Sequence, residues 1–367
     1  MISRKQLLLY WPLLPFSWLY GLAVWIRNLL FKYHLLPSRR FDLPVICIGN
    51  ITVGGTGKTP HTEYLIRLLQ PACRVAVLSR GYKRASKGFV LATPNTSVKE
   101  LGDEPFQMKQ KFGSNILVAV DKDRCHGIGL LQGDPYNQPD VVLLDDAYQH
   151  RYVQPGLTIL LTNYHRPIYK DLLLPAGRLR ESANEKKRAQ LVVVTKCPVD
   201  LSEKGMQEIE KQLKLRPDQK LFFSTFRYGE AYQLFGTHTL SLSAITPQSH
   251  LLLLTGIATP RQLLYDLRTH TSHITSLAFG DHHAFSPSDV DRINETYIHL
   301  CEANQTLIFT TEKDATRLQT LKGLNEAVRA NLYVLTIEVT FLRNQEQAFN
   351  TQIQTYVRKN SRNRPMA

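Results

Sequence analysis

Residues 45–60 read Val-Ile-Cys-Ile-Gly-Asn-Ile-Thr-Val-Gly-Gly-Thr-Gly-Lys-Thr-Pro, and an amphipathic run continues to Leu69. A short apolar strand, Val45 to Ile48, hands the chain to a glycine-rich turn. The turn opens a helix, because Pro60 suits a first helical turn, where a missing N–H costs nothing. Such a turn aims successive backbone N–H groups and a helix N-terminus at one point, an arrangement suited to a polyphosphate. Gly54, Gly55, Thr56 and Gly57 form the cradle. Lys58 adds a mobile positive charge at the β- and γ-phosphates, and Thr59 offers a hydroxyl to Mg²⁺. The strict spacing G-x-x-x-x-G-K-[ST] fails at its first glycine, where Thr52 stands. The competing reading is an ordinary glycine-rich strand–helix turn.

The chain around this stretch keeps the same rhythm. Apolar runs at Val45–Ile48, Arg74–Leu78, Ile116–Val120, Val141–Leu144, Leu157–Leu161 and Leu191–Thr195 alternate with helical patterns. Several are unbroken Val/Ile/Leu runs, as expected of strands covered on both faces. The pattern predicts an α/β fold with a P-loop NTPase-like, doubly wound, mostly parallel sheet. Ligands then bind beyond the carboxyl ends of the strands. A second, smaller α/β lobe is predicted from strands at Leu221–Phe226, Leu251–Thr255, Thr306–Thr310 and Leu332–Val339, with helices near Glu203–Leu213, Pro260–Arg268 and Pro287–Ala303. The expected division of the 367 residues is 1–40, an N-terminal helix; 41–200, the nucleotide-binding lobe; 201–358, the second lobe; and 359–367, a polar, basic and disordered tail. Glu181 to Arg188 reads as a solvated, charged helix face.

The N-terminal segment differs from the rest. Leu7 to Ile26 is 20 residues without a charge, near the length needed to span a bilayer. It holds Trp11, Trp18 and Trp25, and basic residues flank it at Arg4, Lys5, Arg27, Lys32, Arg39 and Arg40. Tryptophan with basic flanks suits the boundary of acyl chains and headgroups, so this is read as a hydrophobic membrane helix. No small-residue cleavage site follows it, against a signal peptide. The net charge of +14 favours an anionic partner: nucleic acid, an acidic membrane surface or a phosphorylated substrate. The five cysteines include no C-x-x-C pair, which reads as a reduced, cytosolic chain without a zinc framework. Nothing in the sequence specifies an oligomeric state.

Further candidates lie just after predicted strands or in turns. Val141-Val-Leu-Leu-Asp145-Asp146 ends a strand in two carboxylates, suited to holding Mg²⁺ opposite Lys58 and Thr59. The two point to opposite sides if the strand continues. Asp103, in Leu101-Gly-Asp-Glu-Pro105, is either a helix cap or a general base. Arg178 and Arg180, in Pro175-Ala-Gly-Arg-Leu-Arg-Glu181, either neutralise a transferring phosphoryl group or form a solvated basic loop. The basic loop Ser79-Arg-Gly-Tyr-Lys-Arg84 has the same two readings. Phe279-Gly-Asp-His-His-Ala-Phe285 is a metal site, a histidine–carboxylate pair or a surface turn.

Together these pieces resemble the tetraacyldisaccharide 4'-kinases of lipid A biosynthesis. The matching stretches are Val53-Gly-Gly-Thr-Gly-Lys-Thr-Pro60, Leu78-Ser-Arg-Gly-Tyr-Lys-Arg84, Gly102-Asp-Glu-Pro105, Asp145-Asp-Ala-Tyr-Gln-His-Arg151, Pro175-Ala-Gly-Arg-Leu-Arg-Glu181, Asp281-His-His283 and Thr311-Glu-Lys-Asp314. The family more often has Gly-Phe where this chain has Ala147-Tyr148. The resemblance implies a kinase on the cytoplasmic face of the bacterial inner membrane. It would move the γ-phosphoryl group of ATP to the 4'-hydroxyl of an anionic glycolipid, a tetraacyldisaccharide 1-phosphate, with Mg²⁺ as cofactor. It also implies nucleotide and Mg²⁺ binding by Lys58 and Thr59, a metal site at Asp145 and Asp146, Asp103 as base assisted by His282, and Arg178 stabilising transferred charge.

Two rivals follow from the same residues. A P-loop GTPase or ATPase acting as a membrane-associated switch or assembly factor would share the glycine-rich loop. Guanine readers typically carry N-K-x-D after a strand, and neither Thr195-Lys-Cys-Pro198 nor Thr311-Glu-Lys-Asp314 fits. A nucleic-acid-binding protein would share the charge, but no zinc finger, RRM signature or aromatic–basic interleaving appears, so no nucleic-acid partner is expected.

Overall fold

The computed structural model describes residues 11–256, 261–280, 283, 285–303 and 306–360. They form two compact units. One holds the described residues up to Phe226 together with those from Val339 onward, and Arg227–Glu338 form the other. A short 3-10 turn, Trp11–Leu13, leads into helix α1 (Leu14–Lys32). There follow β1 (Val45–Gly49), α2 (Lys58–Leu69), β2 (Val75–Ser79), β3 (Val90–Leu91), α3 (Val98–Leu101), α4 (Asp103–Phe112) and β4 (Ile116–Val120). Next come α5 (Arg124–Gly133), β5 (Val141–Asp145), β6 (Leu157–Asn163), β7 (Leu191–Thr195), α6 (Glu203–Leu213) and β8 (Lys220–Gln233).

In the first unit the strand order is β8-β7-β6-β1-β5-β2-β4-β3. The pairs are parallel except for the short β3 on β4. β1, β2, β5 and β7 are buried along their whole length, which is why their sequences are unbroken apolar runs. The chain winds to one side of β1 and then to the other. The crevice of such a sheet lies at the carboxyl ends of β1 and its neighbours β5 and β6.

The second unit contains β9 (Thr239–Leu240), β10 (His250–Thr255), α7 (Arg261–Arg268), β11 (Ile274–Ala278), α8 (Pro287–Ala303), β12 (Thr306–Thr311), α9 (Glu312–Leu318) and α10 (Glu326–Asn331). β13 (Leu332–Phe341) then leads back towards the first unit and α11 (Gln345–Asn360). Its strand order is β11-β10-β12-β13, all parallel, and β9 lies antiparallel to the far half of β8.

The units divide at other points than the expected boundary at 200. The first half of β8 pairs with β7 and completes the first sheet. The chain's last helix also belongs to that unit, where the Tyr356 hydroxyl accepts from Val45 N at 3.1 Å. The stretch from Glu181 to Arg188 is not a solvated helix face. Glu181 is 1% exposed and pairs with Arg188 and, at 3.8 Å, with Arg27, and the 3-10 helix Ala183–Arg188 follows it. The tail expected to be disordered lies outside the described residues from 361 onward, while α11 runs to Asn360.

One buried polar knot fixes the helix that starts at the phosphate loop. Glu63 on α2 accepts from Lys111 Nζ at 2.6 Å and Gln107 Nε2 at 2.7 Å, both on α4, with Arg67 at 3.6 Å. Glu63→Ala removes the shared acceptor and leaves its partners half-desolvated. It is expected to lower unfolding free energy by about 3 kcal/mol, read as a shifted urea midpoint with unchanged slope.

Candidate active site

The glycine-rich turn is built as a cradle. Gly57 takes a left-handed conformation (φ +86°) at the start of α2. A Cβ there would lie 2.5 Å from the Phe226 ring, so both conformation and space demand glycine. Thr52, at the position where the strict pattern has glycine, is accommodated by a side-chain network. Asn50 Nδ2 donates to Thr56 Oγ1 at 2.7 Å and faces Thr52 Oγ1 at 3.4 Å, all three residues being buried. Thr195 Oγ1, at the end of β7, donates to Thr56 O at 2.8 Å. His61 bridges Gly57 O at 2.7 Å and Ser224 Oγ at 3.0 Å.

Burial pushes the His61 imidazole down to about 4, against a favourable contact with Gly57 O. The unfolded chain therefore binds more protons between pH 6.5 and 4. His61 stabilises the fold fully above that window and loses the contribution as pH falls through it. His61→Gln is expected to flatten the fall in urea midpoint between pH 6.5 and 4.5.

The carboxylates meet this loop because of strand register. β1 and β5 pair in parallel with Ile48 opposite Asp145, so β5 ends level with the start of the turn. Asp145 accepts from Thr62 Oγ1 at 3.0 Å. Burial, then the neighbouring charge of Asp146, push the Asp145 carboxyl up to about 7, with Lys58 opposing. The strand does not continue. Asp146 turns into the left-handed region (φ +49°), with Oδ2 3.5 Å from Lys58 Nζ and Oδ1 3.5 Å from Arg180 Nη1. Asp146 Oδ1 is buried and accepts no hydrogen bond among the described residues. A buried carboxylate oxygen that accepts no hydrogen bond among the described residues, a second carboxyl whose ionised form a cation would favour and the Thr59 hydroxyl on the first turn of α2 make a donor set that fits Mg²⁺.

The arginine stretch is placed by backbone pairing. Val53 N donates to Arg178 O, and Arg180 N to Ile51 O, each at 2.7 Å. Residues 178–180 thus run beside the phosphate loop. Arg178 Nη1 lies 3.7 Å from where a Cβ on Gly54 would sit, and Arg180 reaches Asp146. Gln149 joins them, donating from Nε2 to Asn50 O at 2.8 Å. Helix α1 holds this edge: Tyr20 OH donates to Arg180 O at 2.8 Å, Ser17 Oγ to Leu173 O at 3.0 Å, and Arg27 Nη2 to Gln149 O at 2.6 Å.

Asp103 is the first residue of α4, and the cap position belongs to Gly102 (φ +86°). Gly81 and Gly102 let two turns touch. A Cβ on Gly81 would lie 2.7 Å from Leu101 O, and one on Gly102 2.9 Å from Tyr82 O. The Ser79–Tyr82 turn is thereby packed on the turn that presents Asp103. The charge of the next residue, Glu104, helps to raise the Asp145 carboxyl. Arg124, at the start of α5, is buried, and burial followed by the like charge of Arg80 lowers its pKa, while Asp146 and Asp145 oppose. Sequence reasoning missed Arg124 and Gln149. A basic residue opening a helix after a parallel strand marks the first, and the Asp145–Arg151 motif contains the second.

In the second unit, Asp281 and the preferred His282 lie outside the described residues. The adjacent His283 is committed elsewhere: its Nε2 meets Asp289 Oδ2 at 2.9 Å and its ring stacks on Phe279. Asp314 accepts from Gly256 N at 2.9 Å and Thr311 Oγ1 at 2.8 Å, pinning the end of β10 to the start of α9.

The doubly wound parallel sheet, the phosphate loop and the paired carboxylates on the adjoining strand define a P-loop nucleotide-binding protein. The sequence profile of the family described as Tetraacyldisaccharide-1-P 4'-kinase matches residues 9–358, and the chain belongs to that family. A tetraacyldisaccharide 4'-kinase of Phocaeicola vulgatus is 54% identical over 353 residues, covering 96% of each chain. One from Parabacteroides distasonis is 46% identical over 357 residues, again 96% of each. Among solved structures, LpxK from Aquifex aeolicus in complex with ATP superimposes with a TM-score of 0.71 at 29% identity, covering 95% of this chain and 99% of that one.

Proposed function

We propose that this protein is an ATP-dependent kinase that phosphorylates the 4'-hydroxyl of a tetraacyldisaccharide 1-phosphate, a step of lipid A biosynthesis. The observation that carries the reading is the junction of Lys58, Asp146 and Arg180 beside the phosphate loop, in a chain of this family. Lys58 binds the β- and γ-phosphates of ATP, and the loop N–H groups of Gly54 to Gly57 hold the phosphate chain. Thr59, Asp145 and Asp146 hold Mg²⁺, which supplies charge neutralisation to the phosphates when bound. Arg178, with Arg180 next to it, stabilises the charge on the group in transfer. Asp103 takes the proton of the acceptor hydroxyl and His282 assists it. The engagement of His283 with Asp289 and Phe279 supports His282 as the assisting histidine. Arg178 N–H donates to the Asp171 carboxylate and Arg180 N–H to Ile51 O, so the guanidinium groups are presented from a fixed backbone.

The test is a nucleotide panel with and without the glycolipid. ADP release from ATP that depends on the lipid supports the kinase. GTP-selective hydrolysis indifferent to lipid would establish the switch reading instead.

The site of action proposed is the cytoplasmic face of the bacterial inner membrane. Support comes from α1 and the turn before it, 22 residues long and apolar enough to cross a bilayer, with Trp18 72% and Trp25 58% exposed. Deleting residues 1–34 would release the protein but also strip Tyr20 and Arg27 from the arginine stretch. Replacing Trp18, Leu22 and Trp25 together by Gln spares those contacts. It is expected to move most of the protein from the membrane to the soluble fraction, and unchanged sedimentation with membranes would place the anchor elsewhere.

A further inference from the structure

The strand-end tetrapeptide Thr195-Lys-Cys-Pro198 meets the phosphate loop through Thr195, and its lysine has no part in the site as described. Thr195 Oγ1 donates to Thr56 O at 2.8 Å. Lys196 leaves β7 in the left-handed region, φ +59°, a conformation that a non-glycine residue adopts where surrounding structure enforces it. Its Nζ lies 3.8 Å from where a Cβ on Gly55 would sit, so the ammonium hangs over the backbone of the cradle. The Phe226 ring, which also closes against Gly57, is 5.7 Å from the same ammonium. The side chain is half-buried, and burial lowers its pKa. Among the described residues Lys196 forms no ion pair.

We infer that Lys196 is a nucleotide-positioning residue that holds the nucleoside end of ATP against the phosphate loop; this rests on the kinase reading of the site. The sheet order gives the direction. Asp145 and Asp146 end β5, on one side of β1, while β6 and then β7 lie on the other. The metal and the γ-phosphate belong with the carboxylates and Lys58. The rest of the nucleotide then extends across the loop towards the end of β7, where Lys196 waits. A lysine stem can lie along an apolar ribose or base face while its ammonium stays over the loop carbonyls. A half-desolvated ammonium without a carboxylate partner is costly until such a ligand arrives. Pro198 carries no side-chain carboxylate to accept from the N1–H and N2 amino group of guanine, so this position lacks the contact that selects GTP.

The experiment uses full-length Lys196→Met, which keeps the stem length, and Lys196→Arg, which keeps the charge. Steady-state kinetics are combined with direct binding of ADP and with competition by inorganic tripolyphosphate, which lacks a nucleoside. Lys196→Met is expected to raise the KM for ATP and the Kd for ADP about tenfold, with kcat within about threefold and the lipid KM unchanged. Tripolyphosphate inhibition should be unaltered, and Lys196→Arg should restore most of the nucleotide affinity. Unchanged ADP and ATP affinity in folded Lys196→Met overturns the inference, as does a loss of thermal stability and kcat alone, which would make Lys196 a strut. An equal loss towards tripolyphosphate overturns the placement at the nucleoside end. A wild-type protein that binds ADP with a Lys196-dependent affinity but transfers no phosphoryl group would overturn the kinase reading and leave the positioning role standing.

Discussion

Lys58→Ala is expected to lower phosphoryl transfer by about 10³-fold or more while leaving the protein folded. The ammonium sits on the first residue of α2, 3.5 Å from Asp146 Oδ2, at the mouth of a cradle whose other donors are backbone N–H groups. Those groups survive the substitution, so residual nucleotide binding remains. What is lost is a mobile charge that can follow negative charge as it spreads over the transferring group, and removing such a preorganised donor costs a factor of about 10²–10³ on its own. Among the described residues, loss of the Lys58–Asp146 pair also leaves Arg180 as the only cation paired with Asp146, so Mg²⁺ affinity should rise slightly even as turnover falls. Near-normal turnover in a folded Lys58→Ala protein would remove the phosphate-loop assignment. Asp146→Ala is the complementary case, with activity impaired chiefly through its dependence on Mg²⁺ concentration.

Asp103→Ala and His282→Ala are each expected to reduce kcat about 10²–10³-fold with little change in ATP binding. A sugar hydroxyl is a poor nucleophile at neutral pH, so its proton must leave as the new P–O bond forms. An aspartate alone is a weak base, and an imidazole can orient it or take the proton onward. If the two act as a unit, the double variant should be little worse than the more damaging single one. Multiplicative losses would assign them independent roles. Full activity in Asp103→Ala would leave that residue only a place in the first turn of α4. A loss confined to His283→Ala, with the urea midpoint unchanged, would move the assisting role to His283 and away from its bond with Asp289.

The parts of this architecture that were legible in the sequence are those that one local pattern determines. β4 and β7 coincide with unbroken apolar runs because both faces of these strands are covered. The phosphate loop was readable because its glycines and Lys-Thr pair are consecutive, and Asp145 because an apolar strand simply stops there. β11 was missed because it is an edge strand with only Leu277 buried, so it carries no continuous apolar signal. α11 was missed because its buried face is three residues, Phe349, Ile353 and Val357, among polar ones. Glu181 looks solvated in sequence, since its burial depends on Arg27 arriving from α1 and on the 3-10 turns that bring Arg188 back to it. The contacts that complete the candidate site are of the same tertiary kind. Arg180 reaches Asp146 only because residues 178–180 pair with 51–53, and Lys196 reaches Gly55 only because β7 stands two strands from β1.

The most direct measurement is transfer of ³²P from [γ-³²P]ATP to a purified tetraacyldisaccharide 1-phosphate by the full-length protein in detergent micelles with Mg²⁺, with the labelled position located by mass spectrometry of the product. The account predicts one new phosphate on the 4'-oxygen, formed by the wild type and not by Lys58→Ala. Label appearing only as inorganic phosphate, at a rate indifferent to the lipid, would contradict it.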